Sequence, residues 1–171
     1  TVLHYILERL GNWYDDAGIH ISVVRAVLAT DSTDLFDIDL RVKALTAFAQ
    51  TDTAEHLAAA NKRVANILAK ADSMDDNGVD ADLLTEAEEI ALLRAMTDLN
   101  ATIEPLLVEQ KYESALGHLA QLRAPVDDFF ESVMVNSDDP AIRLNRLRLL
   151  STLRGLFTRV ADLALLNPAM E

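Results

Sequence analysis

The chain has 171 residues, half of them hydrophobic, and carries 28 acidic against 15 basic side chains, for a formal net charge of −13. That length and apolar content support a single domain with a sizeable core. The absence of cysteine excludes disulfides, cysteine zinc sites and thiol catalysis, and fits a cytoplasmic protein.

The periodicity is helical nearly throughout, with few Gly and Pro and no strand-length alternation. A first helix is expected from Val2 to Asp16, closed by Gly18. "SVVRAVLA" follows, with Ser22 as its N-cap, then a polar loop "TDSTDLFD" and a helix around "LRVKALTAFAQ". "TDTAEHLAAANKRVANILAK" reads as a long helix opened by Thr51 or Asp52, with Glu55 closing a capping box. "ADSMDDNGVDAD" is a solvated connector; its aspartates miss the spacing of a calcium loop. Thr85 and Glu88 form a second capping box, opening a helix that Pro105 kinks or ends. "YESALGHLAQL" is the next helix, Pro125 suits the first turn of "PVDDFFESVMV", and Pro140 starts a final helix running to about Leu166. The expected architecture is an all-α bundle of about six to eight helices without a sheet. Its organisation is one domain over 1–171: a helical portion 1–70, an acidic connector 71–84 and a helical portion 85–167.

No apolar run approaches the length that spans a bilayer. The opening "TVLHYILERL" lacks the order of a signal peptide and begins in mid-helical pattern without Met, so we expect a piece of a longer chain. His4, His20, His56 and His118 are scattered, with no pair at metal-binding spacing, and no phosphate loop, dinucleotide fingerprint or nucleophile elbow occurs. No catalytic residue and no metal ligand is assigned.

Charge is unevenly spread. Residues 41–70 hold five basic and two acidic side chains, and 139–171 hold five and three, whereas 71–138 hold three and sixteen. Two positive islands thus sit in an acidic chain, places where an anionic partner can land. In the second, Arg143, Arg146 and Arg154 border the apolar face of the final helix, their stems packed and guanidinium groups wet, while Arg148 and Arg159 point away. In the first, Lys62, Asn66 and Lys70 form a stripe at i, i+4 and i+8 with Arg63 beside it. This combines phosphate-seeking cations with an amide able to read a base edge. Asn61 falls with the apolar residues and is expected to be a buried amide bonded to backbone groups. Phe36 is expected in the core, although a loop Phe can also stack a base.

The segments "RVKALTAFAQTDTAEHLAAANKRVANILAK" and "FFESVMVNSDDPAIRLNRLRLLSTLRGLFTRVADLALL" resemble the C-terminal part of bacterial glycyl-tRNA synthetase β subunits, and "ILERLGNWYDDAGIHISVVRAVLA" fits the same region. "DPAIRLNRLRLL" is similar to the segment that names the DALR anticodon-binding domains, with Asp139, Ala141 and Arg143 at matching places and Ile142 where the name has Leu. The resemblance covers essentially the whole chain. It implies a non-catalytic helical domain of a cytoplasmic bacterial enzyme that binds the anticodon region of glycine tRNA. Its partners would be the α subunit and the rest of the β subunit in an α2β2 assembly, with ATP and magnesium at the α subunit and neither DNA nor membrane involved.

Glycine anticodons end in two cytosines, so a reader needs an acceptor beside Arg, Lys or Asn donors. The candidate RNA contacts are Arg41, Lys43, Lys62, Arg63, Asn66, Lys70, Arg143 and Arg146. Asp39 and Asp139 are neighbouring acceptors, with Asp139 expected to cap its helix. The alternative is a helical module that joins subunits or domains without touching RNA.

Overall fold

The computed structural model describes residues 2–72 and 74–166, apart from the side chains of Leu3, His4 and Leu7. Eight α-helices run through the described residues: α1 (Val2–Asp16), α2 (Ile21–Leu28), α3 (Leu35–Phe48), α4 (Asp52–Ala69), α5 (Ala87–Val108), α6 (Tyr112–Leu119), α7 (Arg123–Ser132) and α8 (Pro140–Phe157). Single 3-10 turns occupy Ala81–Leu83, Ala120–Leu122 and Leu163–Leu165, and no strand occurs among the described residues. The fold is the all-α bundle that the periodicity predicts.

Side-chain acceptors set where the helices begin, and several begin one to five residues from the expected place. The Asp34 carboxylate accepts from the amides of Phe36 and Asp37 at 2.9 and 3.4 Å, so α3 starts at Leu35 and the preceding loop is shorter than expected. His20, not Ser22, caps α2; its Nδ1 lies 3.1 Å from the Ser22 amide. Thr51 caps α4 by accepting from the Ala54 amide at 3.2 Å, which leaves Glu55 one position too far along to close a box. On α5 the box is shifted one residue: Glu86 is the N-cap, and Glu89 accepts from its amide at 2.9 Å.

The helix ends also differ. Gly18, with φ of +78°, closes α1 as expected. Pro105 does not end α5, which continues three residues further to Val108. Pro105 and Ala101, whose carbonyl it leaves without a helical partner, are both exposed, so water can take that place. The stop comes from Gln110 at φ of +57°, after which the Lys111 amide donates back to the Leu106 carbonyl at 2.8 Å. The final helix ends at Phe157 rather than near Leu166; Asp162 then caps the separate turn Leu163–Leu165 by accepting from the Ala164 amide. Asn167, the last residue of the expected C-terminal portion, lies outside the described residues.

Apolar stripes on these helices meet in one contiguous core reaching from Tyr14 to Leu163. On α5 the buried residues Leu92, Met96, Leu99 and Ile103 step by four, three and four. This stripe packs against α6, α7 and α8, while α3 packs on α2 and α6. Helix α4 is held between α7, α8 and the 163–165 turn through Ala54, Leu57, Ala58 and Val64, leaving its opposite side free.

Candidate nucleic-acid interface

The arginines of the C-terminal island are mostly committed to the fold. Arg146 is buried, a correction to the wet guanidinium expected at the helix border. Its Nε donates to Glu89 Oε1 at 2.8 Å, and its other nitrogens donate to the Met134 carbonyl and the Thr85 hydroxyl. Glu89 is fully buried and also accepts from the amides of Thr85 and Glu86. Burial alone raises the Glu89 carboxyl pKa, but the Arg146 guanidinium and the two amides outweigh it and hold it below the ordinary value. Arg148 pairs with Asp75 across the connector, Arg154 with Asp162 at 3.0 Å, and Arg159 with Glu104 and Asn100. Arg159 lies beyond α8, so its direction is not set by that helix. Asn61 is buried as expected, but its partners are side chains: it accepts from Arg154 and donates to Asp162.

Arg41 is similarly engaged. Only 16% of its side chain is exposed, and it pairs with Asp37 at 2.7 Å. It also donates to the carbonyls of Arg159 and Val160 and lies over the Tyr112 ring at 4.4 Å. All three guanidinium nitrogens of Arg146 hold partners, and Nε and Nη1 of Arg41 do. Lys43 is exposed and bridges back to Asp39, which also accepts from the Tyr14 hydroxyl. That pairing with Lys43 depresses the Asp39 carboxyl pKa, against a smaller opposing effect of burial.

The stripe on α4 behaves differently. Lys62, Arg63, Asn66 and Lys70 are all exposed on the side away from the core. With Ala59 and Ile67 they line one shallow surface depression. The side chains of Lys62, Asn66 and Lys70 form no hydrogen bond or ion pair with other described residues. The Arg63 guanidinium lies 4.1 Å from the centroid of the Phe130 ring on α7. A neighbouring groove of about 620 Å³ runs between α4 and α7, past Arg63, Phe130, His56, Glu55, Asp127 and Glu131.

Several candidates fall elsewhere. Phe36 is 65% exposed rather than buried. Once Asp34 fixes the start of α3, Phe36 is about 200° around the helix from Ile38, which is buried. His20 is a cap, His56 approaches Arg123, His118 approaches Gln121, and the His4 side chain lies outside the described residues. Among the described residues no group of three or more His, Cys, Asp or Glu is placed to hold a metal ion. Sequence reasoning missed Glu89, although its place in the apolar stripe of α5 is a readable sign of a buried ion pair.

The "DPAIR" segment works as a helix start. Asp139 accepts from the amides of Ala141 and Ile142 at 2.8 and 3.3 Å, as expected of a cap. Arg143, half-buried, donates to the Ser137 carbonyl and closes the preceding turn. Asp139→Ala is expected to lower stability by about 1 kcal/mol, read as a shift of the urea midpoint at unchanged slope. An unchanged midpoint would show that Pro140 suffices to start α8.

The all-helical bundle, with the exposed stripe on α4 and the Asp139-capped start of α8, matches a described class. The family model of the DALR anticodon binding domain matches residues 57–167, and the chain belongs to that family. It is 48% identical over 166 residues to the glycine–tRNA ligase β subunit of Haemophilus influenzae strain PittGG, covering 97% of this chain and 24% of that protein. The β subunits of Actinobacillus pleuropneumoniae serotype 7 strain AP76 and Cronobacter sakazakii strain ATCC BAA-894 match with the same identity and the same coverage of both chains. The chain thus spans about a quarter of the length of the curated relatives it matches.

Proposed function

We propose that this chain is the anticodon-binding portion of a glycine–tRNA ligase β subunit and that the exposed face of α4 meets the tRNA. The observation that carries the reading is the Lys62–Asn66–Lys70 stripe. It lies within the family match and is unpaired where the other positive island is largely consumed by internal ion pairs. Lys62, Arg63 and Lys70 take phosphates, Asn66 reads a base edge, and Lys43 and Arg143 are peripheral contacts. Arg41 and Arg146 act indirectly, by fixing the helices. Glycine activation with ATP and magnesium is left to the α subunit, and the working assembly is an α2β2 enzyme of the bacterial cytoplasm. No described helix is long and apolar enough to cross a membrane.

Titration with glycine tRNA over a range of salt concentrations tests this. Replacing Lys62, Arg63 and Lys70 with Ala should weaken all RNAs similarly and flatten the salt dependence by about 0.7 for each phosphate that is no longer neutralised. Asn66→Ala should cost about 1–3 kcal/mol, taking base contacts in DNA as the guide, and more for an anticodon ending in two cytosines than for a changed one. Helical content should not move in either variant. Wild-type aminoacylation by a reconstituted tetramer carrying the triple change would mean that this face never meets tRNA and that the bundle serves association instead.

A further inference from the structure

Arg63 shares a groove with three carboxylates and pairs with none of them. Glu55, Asp127 and Glu131 line the same groove as its guanidinium, yet no ion pair or hydrogen bond joins any of the three to it. Arg148, Arg154 and Arg159 each hold a carboxylate. Arg63 instead lies on the Phe130 ring. Phe130 is half-buried against the core and braced edge-on by Phe129 at 5.5 Å between centroids, so the ring is a fixed platform. Asp127 and Glu131 flank it on α7 at three residues before and one after, both exposed. The groove therefore offers a planar cationic and aromatic floor, a set of N–H donors on the α4 side and free carboxylate acceptors on the α7 side. Its size suits a small planar ligand.

We infer that this groove is a cytosine-reading site. The inference rests on the reading above that the α4 face meets tRNA. An unpaired cytosine carries an amino donor beside two acceptors on one edge. Placed over Arg63 on Phe130, its ring stacks on the guanidinium whichever base it is, and its amino group donates to Asp127 or Glu131. Uracil in the same place presents a carbonyl oxygen to the carboxylates, acceptor against acceptor. The α7 carboxylates thus select cytosine over uracil, while the adjoining Lys62 and Lys70 hold the backbone whichever base is present.

The test uses the chain with Asp127→Asn and Glu131→Gln together, titrated with glycine tRNA and with the same tRNA bearing uracils at the last two anticodon positions. Carboxamides keep the shape and can donate to a carbonyl. Wild type should prefer the cytosine tRNA. The double variant should lose at least tenfold of that preference, partly by binding the uracil tRNA more tightly, with the salt slope unchanged. Phe130→Leu should weaken both tRNAs without altering the salt slope. A preference for cytosine left intact in the double variant overturns the groove assignment and leaves the α4 face as the tRNA contact. Wild-type binding with no preference between the tRNAs overturns the groove assignment too. No binding of either tRNA, together with wild-type aminoacylation by a tetramer carrying the triple α4 change, overturns both readings.

Discussion

Arg146→Ala is expected to destabilise the fold by about 3–5 kcal/mol, the cost of leaving a buried charge without its partner. Glu89 is fully buried, and two of its bonds come from Arg146. Removing the guanidinium leaves the carboxylate with only the Thr85 and Glu86 groups. It also removes the donor to the Met134 carbonyl in the segment between α7 and α8. Arg146→Lys recovers little, because one ammonium cannot reach Glu89, Thr85 and Met134 in their present directions. Changing both residues, Arg146→Met with Glu89→Gln, should be milder than Arg146→Met alone, since no unpaired charge remains. Urea unfolding of wild type, Arg146→Met, Glu89→Gln and the double variant reads the cycle. A loss below about 1 kcal/mol for Arg146→Ala would show that water reaches Glu89 and that the pair behaves like a surface one.

Asp37→Asn is expected to cost about 2 kcal/mol at neutral pH, with the difference from wild type shrinking in acid. Burial by itself raises the Asp37 carboxyl pKa. Hydrogen bonds from Tyr112, Arg41, Ser32 and Gln110 more than offset this and bring it from 3.8 to about 2. The depressed value fixes the sign: the folded state holds the ionised form more tightly than the unfolded chain does. This contribution is therefore complete above the ordinary carboxylate pKa and is lost as pH falls through about 2. Asp75 and Glu89 are lowered in the same direction, but they are common to both proteins and cancel in the comparison. Urea midpoints for the pair at several pH values from 6 down to 2 provide the measurement. A difference that stays constant across that range would mean the Asp37 charge contributes nothing and only its shape matters. The residue matters structurally because it ties α3 to the start of α6 through Tyr112 and Gln110.

The helices were legible because their apolar positions repeat at helical spacing, and that repeat survives in the buried residues of α4, α5 and α8. Their starts were less so, since neighbouring residues compete to cap. Ser22 and His20 both offer an acceptor, as do Thr85 and Glu86, and only the packed angle of the helix decides between them. The end of α8 was hidden because apolar residues continue at helical spacing past Phe157, although the chain has already turned. At the candidate interface, the exposure of Lys62, Arg63, Asn66 and Lys70 followed from one helix's own phase and could be read locally. The burial of Arg146 and the hold of Arg41 on the Arg159 carbonyl could not, although the Arg41–Asp37 pair, four residues apart, could. Their partners lie 57 and 118 residues away, and no local pattern says which of many carboxylates or carbonyls an arginine will find.

The segment from Arg159 to Leu165 reaches back to the opposite end of the chain. The Asp162 amide donates to the Ala26 carbonyl, Arg41 clasps the carbonyls of Arg159 and Val160, and Leu163 is fully buried among the first-half helices. These contacts close loops of more than a hundred residues, so they carry the largest entropic cost of closure and form late, after the local helix pairs. They also clasp the two halves without help from the acidic stretch between α4 and α5. A protease that nicks that stretch should release nothing: the fragments stay docked, and the cut becomes visible only when the chain is denatured.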